Sequence, residues 1–204
     1  MTQDISKLPP IKKYFLLAKY YGRNPTRGLI YWGGEPISIE DIDRYSKILS
    51  EMDIRLKILE DLIRGGIPPD VIADAIDWKG FEELVSQIFM LYGYKVDKNV
   101  RFKRFEYDIL AFKEDILFSI DCKHWDRIIY PSMAEKIVDS LIRRTVKLDM
   151  LPKYRGYRKY GLVVTLVEGG VLKHRGIYFI PIYYLKNFLE EVYTLIFEGE
   201  LKEI

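Results

Sequence analysis

Apolar side chains recur at steps of three and four from Ile42 through Tyr45, Leu49, Met52, Leu56, Leu59 and Ile63. That period is one face of a helix, and it persists over three heptads. Ser38 with Asp41 three positions on opens it as a capping-box start, and Gly65-Gly66 with Pro68-Pro69 closes it. The stripe needs a partner: either the chain's own 77–204 region or a second copy, which would make a homodimer. Upstream, Pro10 starts a short helix that runs to about Tyr21 and stops at Gly22. Residues 22–37 mix glycine, proline and aromatics and read as loop with at most a short strand.

From Asp77 the pattern changes. Asp77 caps a helix over 78–92 that Gly93 closes. Strands follow at about 94–102, 105–112 and 115–123, the last two forming a hairpin around Lys113-Glu114. Ile116, Phe118, Ile120 and Cys122 lie on one face of the third strand, which predicts a core side and a polar side. Residues 132–149 alternate Met133, Ile137 and Leu141 with basic residues, as an amphipathic helix does. Leu162–Val167 is a β-branched buried strand, Tyr178–Pro181 a strand expected at an edge because proline cannot donate to a ladder, and 183–197 a closing helix. The order is α β β β α β β α. It predicts an α/β fold with a mixed central sheet flanked by helices over 77–204, after a mostly helical region over 1–76.

Composition changes this picture little. The chain has 204 residues, 49% of them hydrophobic, and a formal charge of +2. That supplies one good core with an appended helical region. No apolar run approaches the ~20 residues of a membrane span, and no signal segment opens the chain, so a cytoplasmic protein is expected. One cysteine and two histidines exclude an internal disulfide and an ordinary structural zinc site. Glutamine stands only at 3 and 87 and asparagine only at 24, 99 and 187, which suits a thermophile.

Charge is unevenly spread. Between 143 and 160, Arg143, Arg144, Lys147, Lys153, Arg155, Arg158 and Lys159 face Asp149 alone, whereas 188–204 is acidic. With Lys136 these cations are the candidate nucleic-acid contacts. Tyr154, Tyr157 and Tyr160 alternate with them. They either stack on bases or pack on the core while the charges face water.

The candidate chemistry lies in 82–123. Asp121 and Lys123 are two apart on a strand and face one place. Asp108 interrupts a strand-like run that disfavours aspartate. On the helix at 78–92, Glu82 borders the apolar face while Glu83 lies on the wet side. Carboxylates beside a lysine on a buried sheet are costly, and a magnesium ion would compensate them and give them a use.

Phe81-Glu82-x-Leu-Val, Gly93-Tyr94-x-Val, Asp108-Ile-Leu-Ala and Asp121-x-Lys123-His124-Trp125 together resemble the PD-(D/E)XK nuclease superfamily. Within it they resemble Mrr-type restriction endonucleases and archaeal Holliday-junction resolvases, over about 77–181. The resemblance implies a restriction-endonuclease-like core that cleaves phosphodiester bonds of DNA. Glu82, Asp108 and Asp121 would hold Mg²⁺, with Mn²⁺ a possible substitute, and Lys123 would position or activate water. Tyr107 stands where the family often has proline. Arg101-Phe-Lys-Arg-Phe-Glu106 replaces the glycine-rich approach frequent in Mrr-type enzymes, which bears on substrate more than on chemistry. The alternatives are a nucleic-acid-binding module that kept the fold without activity, and a structural protein whose acids and lysine only form ion pairs.

Overall fold

The computed structural model describes residues 5–34, 37–124 and 129–204. Trp125, the last residue of the motif quoted above, lies outside them. The chain forms two compact units, one of Met1–Phe81 with His124–Arg127 and one of Glu82–Lys123 with Ile128–Ile204.

The first unit is helical: α1 (Pro10–Tyr20), α2 (Thr26–Trp32), α3 (Ile39–Leu49), α4 (Met52–Arg64) and α5 (Pro69–Ala75). The capping box forms as expected. Ser38 Oγ accepts from the Asp41 N–H at 3.1 Å, and Asp41 Oδ2 accepts from the Ser38 N–H. Three expectations change. The heptad stripe is not one helix, because the chain breaks at Ser50-Glu51. The buried Arg55 guanidinium donates to the Leu49 carbonyl at 2.6 Å and the Ser50 carbonyl at 2.8 Å, satisfying oxygens that the break frees. Tyr45, Leu49, Leu56 and Leu59 are buried, and α3 and α4 pack on α1 within the same unit. The buried part of the stripe is therefore covered within the first unit itself, by α1. Residues 26–32 are helical rather than loop, since Gly28 lets α2 lie directly on the Tyr14 ring. A Cβ there would sit 2.0 Å from Tyr14 Cε1. Pro68-Pro69, read as a helix stop, also opens a further short helix, α5, with Pro69 in its first turn.

Asp77 caps α6 (Trp78–Leu91), its Oδ1 accepting from the Gly80 N–H at 2.7 Å. In the second unit the strands are β1 (Lys95–Phe102), β2 (Phe105–Lys113), β3 (Ile116–Lys123), β4 (Arg158–Thr165), β5 (Lys173–His174) and β6 (Ile177–Pro181), and the helices α7 (Pro131–Thr145) and α8 (Leu185–Phe197). They make a mixed six-stranded sheet in the order β1-β2-β3-β4-β6-β5. The β1-β2-β3 meander is antiparallel, β3, β4 and β6 are parallel, and β5 returns antiparallel to β6. The mixed sheet with flanking helices is the architecture that the pattern predicts. Two details differ. β3 is buried on both faces from Ile116 to Asp121, as expected of a strand paired on both sides and covered by helices. Pro181 is not on an edge strand. β6 lies between β4 and the two-residue β5, which stops short of the proline.

Phe118 anchors one face of the sheet, with Phe89 of α6, Tyr94 and Phe188 of α8 around its ring. On the other face, Tyr107, Leu110, Phe112 and Leu117 cluster with Leu148 and Tyr154. α7 closes on β4 at Gly161, where a Cβ would lie 3.0 Å from Ile177 Cδ1 and Ile204 Cδ1 and 3.1 Å from Leu141 Cδ2. Three neighbours cannot all yield in a buried layer. Gly161→Ala is expected to cost about 1 kcal/mol, read as a lower urea midpoint at unchanged slope. An unchanged or raised midpoint would show that α7 has room to move. Among the described residues no helix is long and apolar enough to cross a membrane.

Candidate active site

Local periodicity carries the carboxylates to one end of the sheet. β2 and β3 pair in the register Ile109↔Ile120, so one residue further Asp108 stands opposite Asp121. The Cys122 N–H donates to Asp108 Oδ2 at 2.8 Å, which ties the two strand ends together. Asp121 is only 4% exposed. Its Oδ2 takes Lys123 Nζ at 2.6 Å, and its Oδ1 is held by the Arg144 guanidinium from α7. Glu82, near the start of α6, is 8% exposed, while Glu83 faces outward and pairs with Lys98.

The electrostatics show an excess of acid. Burial, with the charges of Asp108 and Glu106, pushes the Glu82 carboxyl up to about 7, against a smaller opposing effect of Lys98. Asp108 is also raised, first by burial and then by Asp121. The Cys122 N–H, Arg144 and Lys123 pull it back. A cation among these oxygens would relieve both. The donor set is hard and suits Mg²⁺. Among the described residues, however, no three metal-ligating side chains are gathered into a ready cluster. Asp121 is engaged by Lys123 and Arg144, so ligation would require these side chains to turn. His124 lies in the first unit against Phe81, ring centroids 5.8 Å apart. Burial holds its imidazole below the usual range.

Arg144, expected on the nucleic-acid surface, is instead a partner of Asp121, and its carbonyl accepts from Tyr107 Oη at 2.6 Å. Sequence spacing carried no signal for this, because the facing of α7 depends on how the helix docks. The basic stretch divides. Lys159 is 4% exposed, with Nζ donating to Asp149 Oδ1 at 2.6 Å and to the Tyr157 carbonyl at 2.8 Å, so its charge is spent inside the fold. Residues 158–161, read with the basic loop, begin β4. Lys153 pairs with Asp97 and Arg158 with Glu203, both cations exposed, and Arg155 Nε donates to the Asp149 carbonyl. Lys136, Arg143 and Lys147 are exposed. Of the interleaved tyrosines, Tyr154 and Tyr160 are buried, and Tyr157 stands over Phe112 at 5.7 Å, so they pack on the core.

Residues 73–166 match the family model Mrr_cat, described as a restriction endonuclease. No curated protein and no solved structure matches the chain.

Proposed function

We propose, from the match of residues 73–166 to the restriction-endonuclease family model, that this protein is a metal-dependent DNA endonuclease of the Mrr type within the PD-(D/E)XK superfamily, with 77–204 as its nuclease domain. The observation that carries this reading is Asp108 opposite Asp121 with Lys123 at 2.6 Å from the latter, beside a Glu82 that burial and neighbouring acids hold near neutrality. Glu82, Asp108 and Asp121 would hold Mg²⁺ or Mn²⁺. When bound, the ion supplies charge stabilisation and a more acidic water. Lys123 places a compact cation where the scissile phosphate gains charge. Arg144 holds Asp121 against α7 and, on release, can turn to a phosphate oxygen with two donors. Lys136, Arg143, Lys147, Lys153, Arg155 and Arg158 are the exposed cations offered to the DNA backbone.

The test is a panel of labelled duplex, single-stranded and branched DNAs incubated with and without Mg²⁺. Cleavage that needs the metal is the expected result. Metal-dependent binding without any cut product would favour the silent module. Failure to cut or bind any of them would leave the acids and Lys123 as structural ion pairs.

A further inference from the structure

We infer that the tip of the β1-β2 hairpin and the 3-10 turn after α7 form a cleft that stacks an unpaired DNA nucleotide and grips its phosphates. This rests on the nuclease reading above and names the form of DNA that reaches the site.

The turn is Lys103-Arg104, and Phe102 and Phe105 pair across it. With Lys147 and Met150 these residues line a cleft of about 330 Å³, within the usual range of small-ligand sites. The floor is apolar and aromatic and the rim is cationic. Lys103 Nζ stands 5.3 Å from the Phe102 ring centre and Arg104 Cζ 5.4 Å from that of Phe105. Among the described residues no acid lines the cleft. Most other cations nearby are committed: Arg101 to Glu106, Lys153 to Asp97, Lys159 to Asp149. Lys103, Arg104 and Lys147 make no ion pair among the described residues.

The rings are held from behind. Phe102 and Phe105 are half-buried and pack on the cluster of Tyr107, Phe112 and Leu148, which fixes the rings while the flexible Lys103 and Arg104 side chains over them can move aside to a phosphate. Met150 adds a side chain that is 49% exposed. A duplex backbone would use the three cations and leave this apolar floor wet. An extruded or single-stranded base covers it, because every base has a π-face to stack and stacking contributes on the order of 1–3 kcal/mol per base. Position agrees. Phe105 lies three residues before Asp108 on β2, about 10 Å along the strand. The cleft and Asp108 therefore lie on one strand, close enough for one DNA to reach both.

The experiment uses the full chain in EDTA, so that binding is read without cleavage. Fluorescein-labelled oligothymidine and a duplex of equal length are titrated across a salt series, and a 2-aminopurine single strand reports stacking. Wild type is expected to prefer the single strand and to quench 2-aminopurine. K103Q/R104Q/K147Q should weaken single-strand binding at least tenfold and flatten the log–log salt slope by about 2, at roughly 0.7 per phosphate contact. Phe105→Leu keeps an apolar floor. It should lose the quenching and weaken binding roughly 5- to 100-fold at unchanged slope. If the leucine variant fails to fold, the triple glutamine variant on exposed residues decides alone. Wild-type affinity and slope in the triple variant would overturn the cleft, as would duplex preference with unquenched 2-aminopurine. Mg²⁺-dependent cleavage by wild type is assayed in parallel. Its presence with unaffected binding variants sinks only the cleft. Its absence on every DNA, with the quenching retained, sinks only the nuclease reading. A wild-type chain that binds no nucleic acid overturns both.

Discussion

Asp121→Asn is expected to lower the single-turnover cleavage rate on the order of 10³-fold, the scale on which one preorganised charged group at a reacting centre contributes. The carboxylate is a proposed metal ligand and also the point where Lys123 and Arg144 meet. Asparagine keeps the shape and removes the charge, so an ion loses a hard anionic ligand and two cations are left facing each other. The same burial sets a structural cost. Sequence position alone makes a polar strand-end change look cheap, but Asp121 is 4% exposed. Removing one member of a buried charged group leaves its partners uncompensated, here about 1–3 kcal/mol because both cations keep some contact with water. Cleavage at saturating Mg²⁺ must therefore be read beside a thermal melt. A folded variant that cuts at the wild-type rate removes Asp121 from the mechanism. A variant that unfolds supports the ion-pair reading. Lys123→Gln, which leaves the Asp121–Arg144 pair in place, then decides whether chemistry is lost as well.

Without metal, the protein is expected to lose stability between pH 5 and pH 8 through Glu82. Its carboxyl rises from 4.5 to about 7, first through burial and then through Asp108 and Glu106. In that window the folded state keeps a proton that the unfolded state has released. The stabilisation is complete below the unfolded value and is lost as pH rises through the folded one. At about 1.4 kcal/mol per unit the effect is at most about 3 kcal/mol. Asp108, also raised, acts with the same sign from a lower starting value. His124 works the other way. Its lowered imidazole makes the unfolded state the better proton binder below 6.5, so its contribution grows with pH. Asp41, Asp61 and Glu200 are lowered and act only in more acid solution. Comparing wild type with Glu82→Gln at each pH cancels these other groups. The variant should melt higher than wild type at pH 8 and no higher at pH 5. Mg²⁺ should raise the wild-type midpoint more at pH 8 than at pH 5, because a ligand carboxyl must first give up its proton. Parallel melting curves for the two proteins from pH 5 to 8 would remove Glu82 from the acidic cluster.

What the sequence by itself determined is what depends on neighbours a few positions apart. The Ser38–Asp41 box, the Asp77 cap and the β2-β3 hairpin are local hydrogen-bond and turn chemistry. So is the turning of Glu82 inward and Glu83 outward, which follows from the helical period. Asp121 and Lys123 share a face for the same reason. Decisions between distant segments were not legible. The heptad from Ile42 to Ile63 has one period, but Arg55 reaching the Leu49 and Ser50 carbonyls makes it two helices. Residues 26–32 look like loop until Gly28 meets Tyr14. A run of basic residues between 143 and 160 looks like one surface. Yet Arg144 turns to Asp121, Lys159 sinks to Asp149 and Lys147 joins Lys103 and Arg104 from a hairpin more than forty positions earlier. A charge is worth forming in a fold only where its desolvation is met by a partner. Which partner is near is set by how α7 and the sheet pack, and only the tertiary structure decides that.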